Sequence, residues 1–250
     1  MAQRKNVKSG TNLKSFYMIL AVLLVAGIGV IAWLVTRGQA SRAAIDPAPV
    51  EGAEDPQALV AKAQGVSIGN DGAPVKMLVF SDFQCPFCAS FAAQIEPLLT
   101  QEFVQPGTLQ FVYYDFPLGG SHKYSFVASR AARCAGDQNK FWEYHNLIFG
   151  KQSEWSFDQN PPVRKLIDYG QEVGLERGAF EACVNSDKYQ DIVSANRLLG
   201  ERLGVNSTPT VFVNQKRLPA QMAGDIKALR ELIAAEAAGR AGVPVTATPE

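Results

Sequence analysis

Residues 16–35 read Phe-Tyr-Met-Ile-Leu-Ala-Val-Leu-Leu-Val-Ala-Gly-Ile-Gly-Val-Ile-Ala-Trp-Leu-Val, an unbroken stretch without a charged side chain. About 20 such residues, wound as a helix, cover the ~30 Å hydrocarbon layer of a bilayer. The run has no polar face to offer water, so it does not belong to a water-exposed helix. Tyr17 and Trp33 lie near its ends, where amphipathic rings favour the membrane–water boundary. Arg4, Lys5, Lys8 and Lys14 precede it, and Arg37 and Arg42 follow. That bias places the N-terminus in the cytoplasm and everything after the run on the outer face. The apolar core of a cleaved signal peptide usually spans only ~7–15 residues, so a retained signal-anchor over residues 16–36 is expected behind a basic cytoplasmic tail, residues 1–15. Cleavage within the small-residue stretch 39–44 is the alternative. Both readings export the rest of the chain, to a periplasm or an extracellular face.

The whole chain has 24 basic and 24 acidic residues, a net charge of zero. The six basic residues just named precede the first acid, Asp46, so the remainder holds 18 basic against 24 acidic side chains, a net of −6. A mildly acidic body excludes the basic surface that nucleic-acid binding requires. At 47% hydrophobic and 19% charged the body can bury a core. Four cysteines are too few for a disulfide scaffold to replace one. Between Trp33 and Phe80 there is no aromatic residue, and Pro47, Pro49 and Pro56 interrupt an Ala-rich stretch. Residues 37–65 are therefore expected to be a linker, with a short helix over 58–64. Residues 239–250, with Pro244 and Pro249, are expected to form a disordered tail.

The body, residues 66–238, has the periodicity of an α/β domain. Val75-Lys76-Met77-Leu78-Val79-Phe80 is a β-prone run between turn signals, and Leu109-Gln110-Phe111-Val112-Tyr113-Tyr114 is a second. A helical stretch over 86–103 separates them, with Pro97 expected to kink or end it. This strand–helix–strand unit should cross over right-handedly. Helical patterning then covers 124–135, 140–149, 162–174, 177–185 and 188–203. Thr210-Val211-Phe212-Val213 reads as a strand, with 216–218 as its short partner. A helix capped by Asp225 follows over 225–238. Phe141, Trp142, Tyr144, His145 and Phe149 have the spacing of a helix core face.

Cys85-Pro86-Phe87-Cys88 stands where the first strand gives way to its helix. Partial positive charge at a helix N-terminus stabilises a thiolate, and a two-residue gap lets the second thiol close a ring onto the first. Pro86 in the first turn costs no backbone hydrogen bond. Half of a zinc site is the competing reading, but zinc requires four ligands, and His122 and His145 are the only histidines. Copper(I) carriage by two soft thiolates is the better rival. No cofactor and no resident metal is expected. Asp82 and Asp115 are candidates for moving a proton from Cys88, with Asp82 the better placed, and the alternative for both is a solvated or capping acid. His122 is read as a surface histidine, with a place beside the thiols as its alternative. Cys134 and Cys183 leave three readings open: a structural disulfide, two buried thiols, or a shuttle exchanging with Cys85.

These residues resemble the thioredoxin superfamily, and within it the DsbA-like branch of exported thiol–disulfide oxidoreductases. The likeness rests on Phe80-Ser81-Asp82-Phe83-Gln84-Cys85-Pro86-Phe87-Cys88, on Phe111-Val112-Tyr113-Tyr114-Asp115-Phe116-Pro117-Leu118, on Ala131-Ala132-Arg133-Cys134, and on Gly204-Val205-Asn206-Ser207-Thr208-Pro209-Thr210. The resemblance implies an α/β thioredoxin fold with an all-helical insertion over about 119–204. It implies an exposed nucleophile at Cys85, a buried resolving thiol at Cys88, and a cis Pro209 beside them. Thr208 would offer backbone hydrogen bonds to a bound peptide. The implied activity is disulfide formation in reduced or unfolded exported proteins, with a quinone-linked membrane partner for reoxidation. A reductase or isomerase using the same site, and a Cu(I) delivery module, are the alternatives. Two positions depart from the family pattern. Phe87 stands where the best-known members have histidine, and a side chain without charge or donor implies a weaker oxidant. Val79 occupies the place of the family's buried acid, six residues before the first cysteine.

Overall fold

The computed structural model describes residues 13–43 and 47–241. The expected basic tail as far as residue 12, and the expected C-terminal tail beyond residue 241, lie outside the described residues, as do residues 44–46. The chain divides into two units, Met1–Arg42 and Ala43–Glu250. The described part of the first is the helix α1 (Leu13–Ala43). Within it Phe16–Trp33 is long and apolar enough to cross a membrane, and none of that window is buried by protein.

The second unit is built on a sheet. Following α2 (Pro56–Lys62), its strands are β1 (Val66–Ile68), β2 (Val75–Ser81), β3 (Leu109–Asp115), β4 (Thr210–Val213) and β5 (Lys216–Arg217). They lie in the order β1-β3-β2-β4-β5. Only the β2–β3 pair is parallel, because only there does a helical crossover return the chain in the same direction. Side chains alternate in period two. Val75, Met77 and Val79, with Leu109, Phe111, Tyr113, Val211 and Val213, feed the main core, while Phe80, Phe116 and Phe212 form a second core with Leu78 and Tyr114.

The crossover starts as α3 (Pro86–Gln94) and continues as α4 (Glu96–Leu99) and a π-helical turn over Thr100–Val104. The break falls at Pro97, which lacks an N–H and sits in the first turn of α4, so the expected 86–103 helix is present but interrupted.

Between β3 and β4 come six helices: α5 (Ser125–Gly136), α6 (Phe141–Gly150), α7 (Gln152–Trp155), α8 (Val163–Glu172), α9 (Arg177–Val184) and α10 (Gln190–Arg202). Helices α11 (Ala220–Ala223) and α12 (Ile226–Ala241) follow the last strand, and the Asp225 carboxylate accepts the N–H groups of Lys227 and Ala228. The fold is a thioredoxin fold with an all-helical insertion. In α6, His145 is fully buried among Phe83, Tyr113, Phe141, Trp142 and Phe149, with ring centroids 4.9–5.9 Å away. Burial pulls its pKa down to about 4, so it is a neutral core residue. Helix α10 packs closely on the second core at Gly200, where a Cβ would come within 2.6 Å of the Phe116 ring.

Two segments differ from the sequence expectation. The later part of the 37–65 linker is attached to the domain. Leu59 and Ala63, one helical turn apart in and after α2, are buried against Ala195 of α10. The Ala48 N–H also donates to Ser194 Oγ at 3.0 Å. Averaged composition concealed this short apolar stripe. β1 was not anticipated, since three residues show no readable alternation.

Cys134 of α5 and Cys183 of α9 form a disulfide, with Cα atoms 5.8 Å apart across 49 residues of chain. Closing a loop of that length restricts the unfolded chain by about 4 kcal/mol on the chain-entropy account. The double variant Cys134→Ala/Cys183→Ala is therefore expected to unfold at lower denaturant concentration by that order. An unchanged midpoint would show that the bond contributes nothing to stability.

Candidate active site

Cys85 is the N-cap of α3, with extended backbone (φ −75°, ψ 121°), and Pro86 opens the helix. Cys88 is the third residue of α3, and both cysteines are buried, Cys85 at 4% and Cys88 at 1% exposure, so the expectation of an exposed Cys85 is corrected: the helix start and the Thr208 loop cover it. Both thiols are free. The Cys85 thiol is pulled down from 9.0 to about 6, chiefly by the hydrogen bond from the Cys88 thiol, which burial opposes and Thr208 and the local backbone assist. Cys88 is pushed well up, first by burial and then by its Cys85 neighbour. The two sulfurs thus sit in unequal environments, one favouring the thiolate and the other the thiol.

The Thr208–Pro209 peptide bond is cis. It lies in the loop before β4, and the Cys85 Sγ lies 3.3 Å from the Thr208 carbonyl oxygen. Phe87, Phe91, Ile95, Pro209 and Ala223 line an open apolar groove of about 450 Å³ at this point. Phe87 itself is 74% exposed, leaving a large ring between the two cysteines free for an apolar ligand.

Asp82 is fully buried behind the thiols. Its N–H points at Cys88 Sγ at 3.5 Å, its Oδ1 accepts the Gln84 N–H at 2.7 Å, and its Oδ2 accepts the Leu118 N–H at 2.8 Å. His122 Nδ1 lies 3.0 Å from the same Oδ2. The surface reading of His122 is therefore corrected: a chain reversal at Gly119 and Gly120, both with positive φ, brings the imidazole onto the carboxylate. Asp115 is otherwise engaged. Arg133 Nε donates to its Oδ2 at 2.7 Å and Asn196 donates to the same oxygen at 3.2 Å, so it is a buried structural ion pair away from proton handling.

Sequence reasoning passed over two glutamines. Gln84 donates to the Ser156 carbonyl at 2.8 Å, and Gln152 donates to the Phe83 and Cys85 carbonyls at 2.7 and 3.0 Å. Together they fasten the cysteine loop to the helical insertion. Only Gln84, inside the motif, had any sequence signal. Among the described residues no three His, Cys, Asp or Glu side chains gather as a metal-holding group.

Two free thiols at a helix N-terminus stand beside a cis-proline loop on a thioredoxin sheet. Residues 61–235 match the thioredoxin family, and the chain belongs to it. A putative protein-disulfide oxidoreductase of Rickettsia typhi is 30% identical over 148 residues, 59% of this chain and 53% of that protein. The Na(+)/H(+) antiporter NhaA 1 of Salinispora arenicola is 32% identical over 146 residues, 58% of this chain but 21% of the antiporter. The chain thus spans about half or less of these relatives. Oxidised BdbD from Bacillus subtilis superposes with a TM-score of 0.62 at 24% identity, covering 69% of this chain and 92% of that one. The fold is DsbA-like.

Proposed function

We propose that the protein is a membrane-anchored, extracytoplasmic oxidoreductase that forms disulfides in exported proteins. The observation that carries this reading is the pair of free cysteines at the start of α3, with Cys85 Sγ 3.3 Å from the Thr208 carbonyl oxygen of the cis Thr208–Pro209 loop. In the oxidised enzyme a substrate thiolate attacks Cys85 Sγ of the Cys85–Cys88 disulfide, and Cys88 leaves and takes up a proton. A second substrate thiolate then attacks the substrate sulfur of the mixed disulfide and expels Cys85 as a stable thiolate. One substrate disulfide is formed and the enzyme pair gains two electrons. Asp82, buried beside Cys88, handles the proton that Cys88 gains. Thr208 and Pro209 present the loop along which an extended substrate lies, and Phe87 supplies apolar contact. The domain boundaries follow the anchor and exchange roles: α1 crosses the membrane with its N-terminus inside, residues 66–238 carry the chemistry outside, and Cys134–Cys183 is structural. A quinone-linked membrane protein is the partner that reoxidises the pair. The resemblance of the Rickettsia relative, itself described as a putative protein-disulfide oxidoreductase, supports the exchange chemistry.

The test is the equilibrium of the Cys85/Cys88 pair against glutathione in the full-length protein, together with oxidation of a reduced, unfolded test protein. A potential more oxidising than about −200 mV with catalysed oxidation is expected, whereas a value near thioredoxin's roughly −270 mV would make the protein a reductant.

A further inference from the structure

A second cavity, separate from the groove at the cis-proline loop, holds a carboxyl group without a hydrogen-bond partner. Glu96, the first residue of α4, is 8% exposed, and among the described residues no group donates a hydrogen bond to its side chain. It lines a cleft of about 270 Å³ bordered by α4, β1, β3 and α6, with apolar walls from Ile68, Phe111 and Trp142. The preceding residue, Ile95, lines the groove beside the thiols instead, so the two neighbours face different cavities. Behind the carboxyl, His145 Nε2 lies 3.8 Å from Glu96 Oε2, beyond hydrogen-bond reach. His145 Nδ1 donates to Asn146 Oδ1 at 3.0 Å, which leaves Nε2 a buried lone-pair acceptor without a donor. The two groups are not an ion pair at neutral pH, because burial lifts the Glu96 pKa to about 8 and pulls that of His145 down to about 4. His145 is the ionisable side chain that faces Glu96, and neither lysine nor arginine lines the cleft.

We propose that the Glu96 cleft is a binding site for a small organic ammonium ion with an apolar or aromatic body. A carboxyl without donors calls for a ligand rich in N–H groups, and a primary ammonium carries three. Charge decides against a neutral alcohol: a lone carboxylate in an apolar site is costly, and a cation seated on it offsets that cost. The walls decide against a hydrated inorganic ion, which would have to shed its water against Ile68 and Phe111. Trp142 adds an aromatic surface of the kind that attracts organic ammonium groups. On binding, the ammonium donates to Glu96 and the carboxyl gives up its proton to solvent, so the bound pair is neutral in sum and one proton leaves.

Benzylamine is the probe, titrated into the full-length protein at pH 7 by calorimetry, with benzyl alcohol as its uncharged counterpart. Saturable binding of the amine is expected, about tenfold or more tighter than the alcohol, since a hydrogen bond to a charged group contributes that much. Its heat should vary with the ionisation enthalpy of the buffer, in the sense of close to one proton released per amine bound. The Trp142 indole N–H resonance should shift during the titration, while that of Trp155, fully buried elsewhere, should not. Glu96→Gln keeps the shape and removes the charge, and should lose about tenfold in amine affinity together with the proton release. No saturable binding, equal affinity for amine and alcohol, a heat independent of buffer, or an unmoved Trp142 resonance overturns the proposal, as does undiminished amine affinity in Glu96→Gln. The comparison of amine with alcohol needs only the wild type, so it decides the matter even where the variant does not fold. No readout involves the thiols, so this site and the proposed exchange can each fail without the other.

Discussion

Replacing Cys85 with alanine is expected to reduce oxidation of a reduced test protein to the uncatalysed background, while Cys88→Ala should still be attacked by alkylating reagents and accumulate mixed disulfides. The asymmetry follows from the unequal environments of the two sulfurs. At neutral pH a thiol held near 6 carries roughly a hundredfold more thiolate than one at the ordinary value of 9.0. Under the proposed mechanism the Cys88 thiol, buried and pushed well up, reacts only with a partner already joined to Cys85. Without Cys88 there is no internal thiol to release that partner, so the adduct persists. Removing Cys88 also removes the hydrogen bond that does most to lower Cys85, so alkylation in that variant should need higher pH than in wild type. Initial rates and the mass of non-reduced adducts check both statements. Oxidase activity retained in Cys85→Ala would sink the mechanism.

The second large effect is expected far from the thiols. Arg133→Met leaves the Asp115 carboxylate fully buried, with the Asn196 amide as its remaining side-chain donor. Breaking one side of a buried ion pair costs about 3–5 kcal/mol, because an uncompensated charge remains in the interior. Replacing both partners, Arg133→Met with Asp115→Leu, should recover most of that loss. Chemical unfolding of the three proteins measures it. Should the single variant be as stable as wild type, the pair is not the anchor between β3 and α5 that its geometry indicates.

The sequence motif carried much of this site. Cys85, Cys88 and the strand–helix junction lie within one short segment, and local order in the chain is enough to read them. The same holds for the strands at 75–81, 109–115 and 210–213, whose apolar residues are continuous. Features that depend on chain separation were less legible. His122 meets Asp82 across 40 residues, through a glycine turn whose direction no local pattern reveals. The attachment of Leu59 to Ala195 joins segments more than a hundred residues apart, and composition in the 37–65 region was too polar to announce it. The short helices α7 and α11 have four residues each, too few for a helical period to show. Gln152 acts through backbone carbonyls, which carry no sequence signal at all.

The near-complete burial of Cys85 beside an exposed Phe87 sets a condition on the partner and not only on the enzyme. A sulfur so enclosed is out of reach for a thiol fixed on a rigid, finished surface. It can be met by a loose segment that lays itself along the cis-proline loop. Under the proposed activity the enzyme would therefore act as a clock on folding: chains are oxidised while they are still pliable, and each drops out of competition as its own structure withdraws its cysteines.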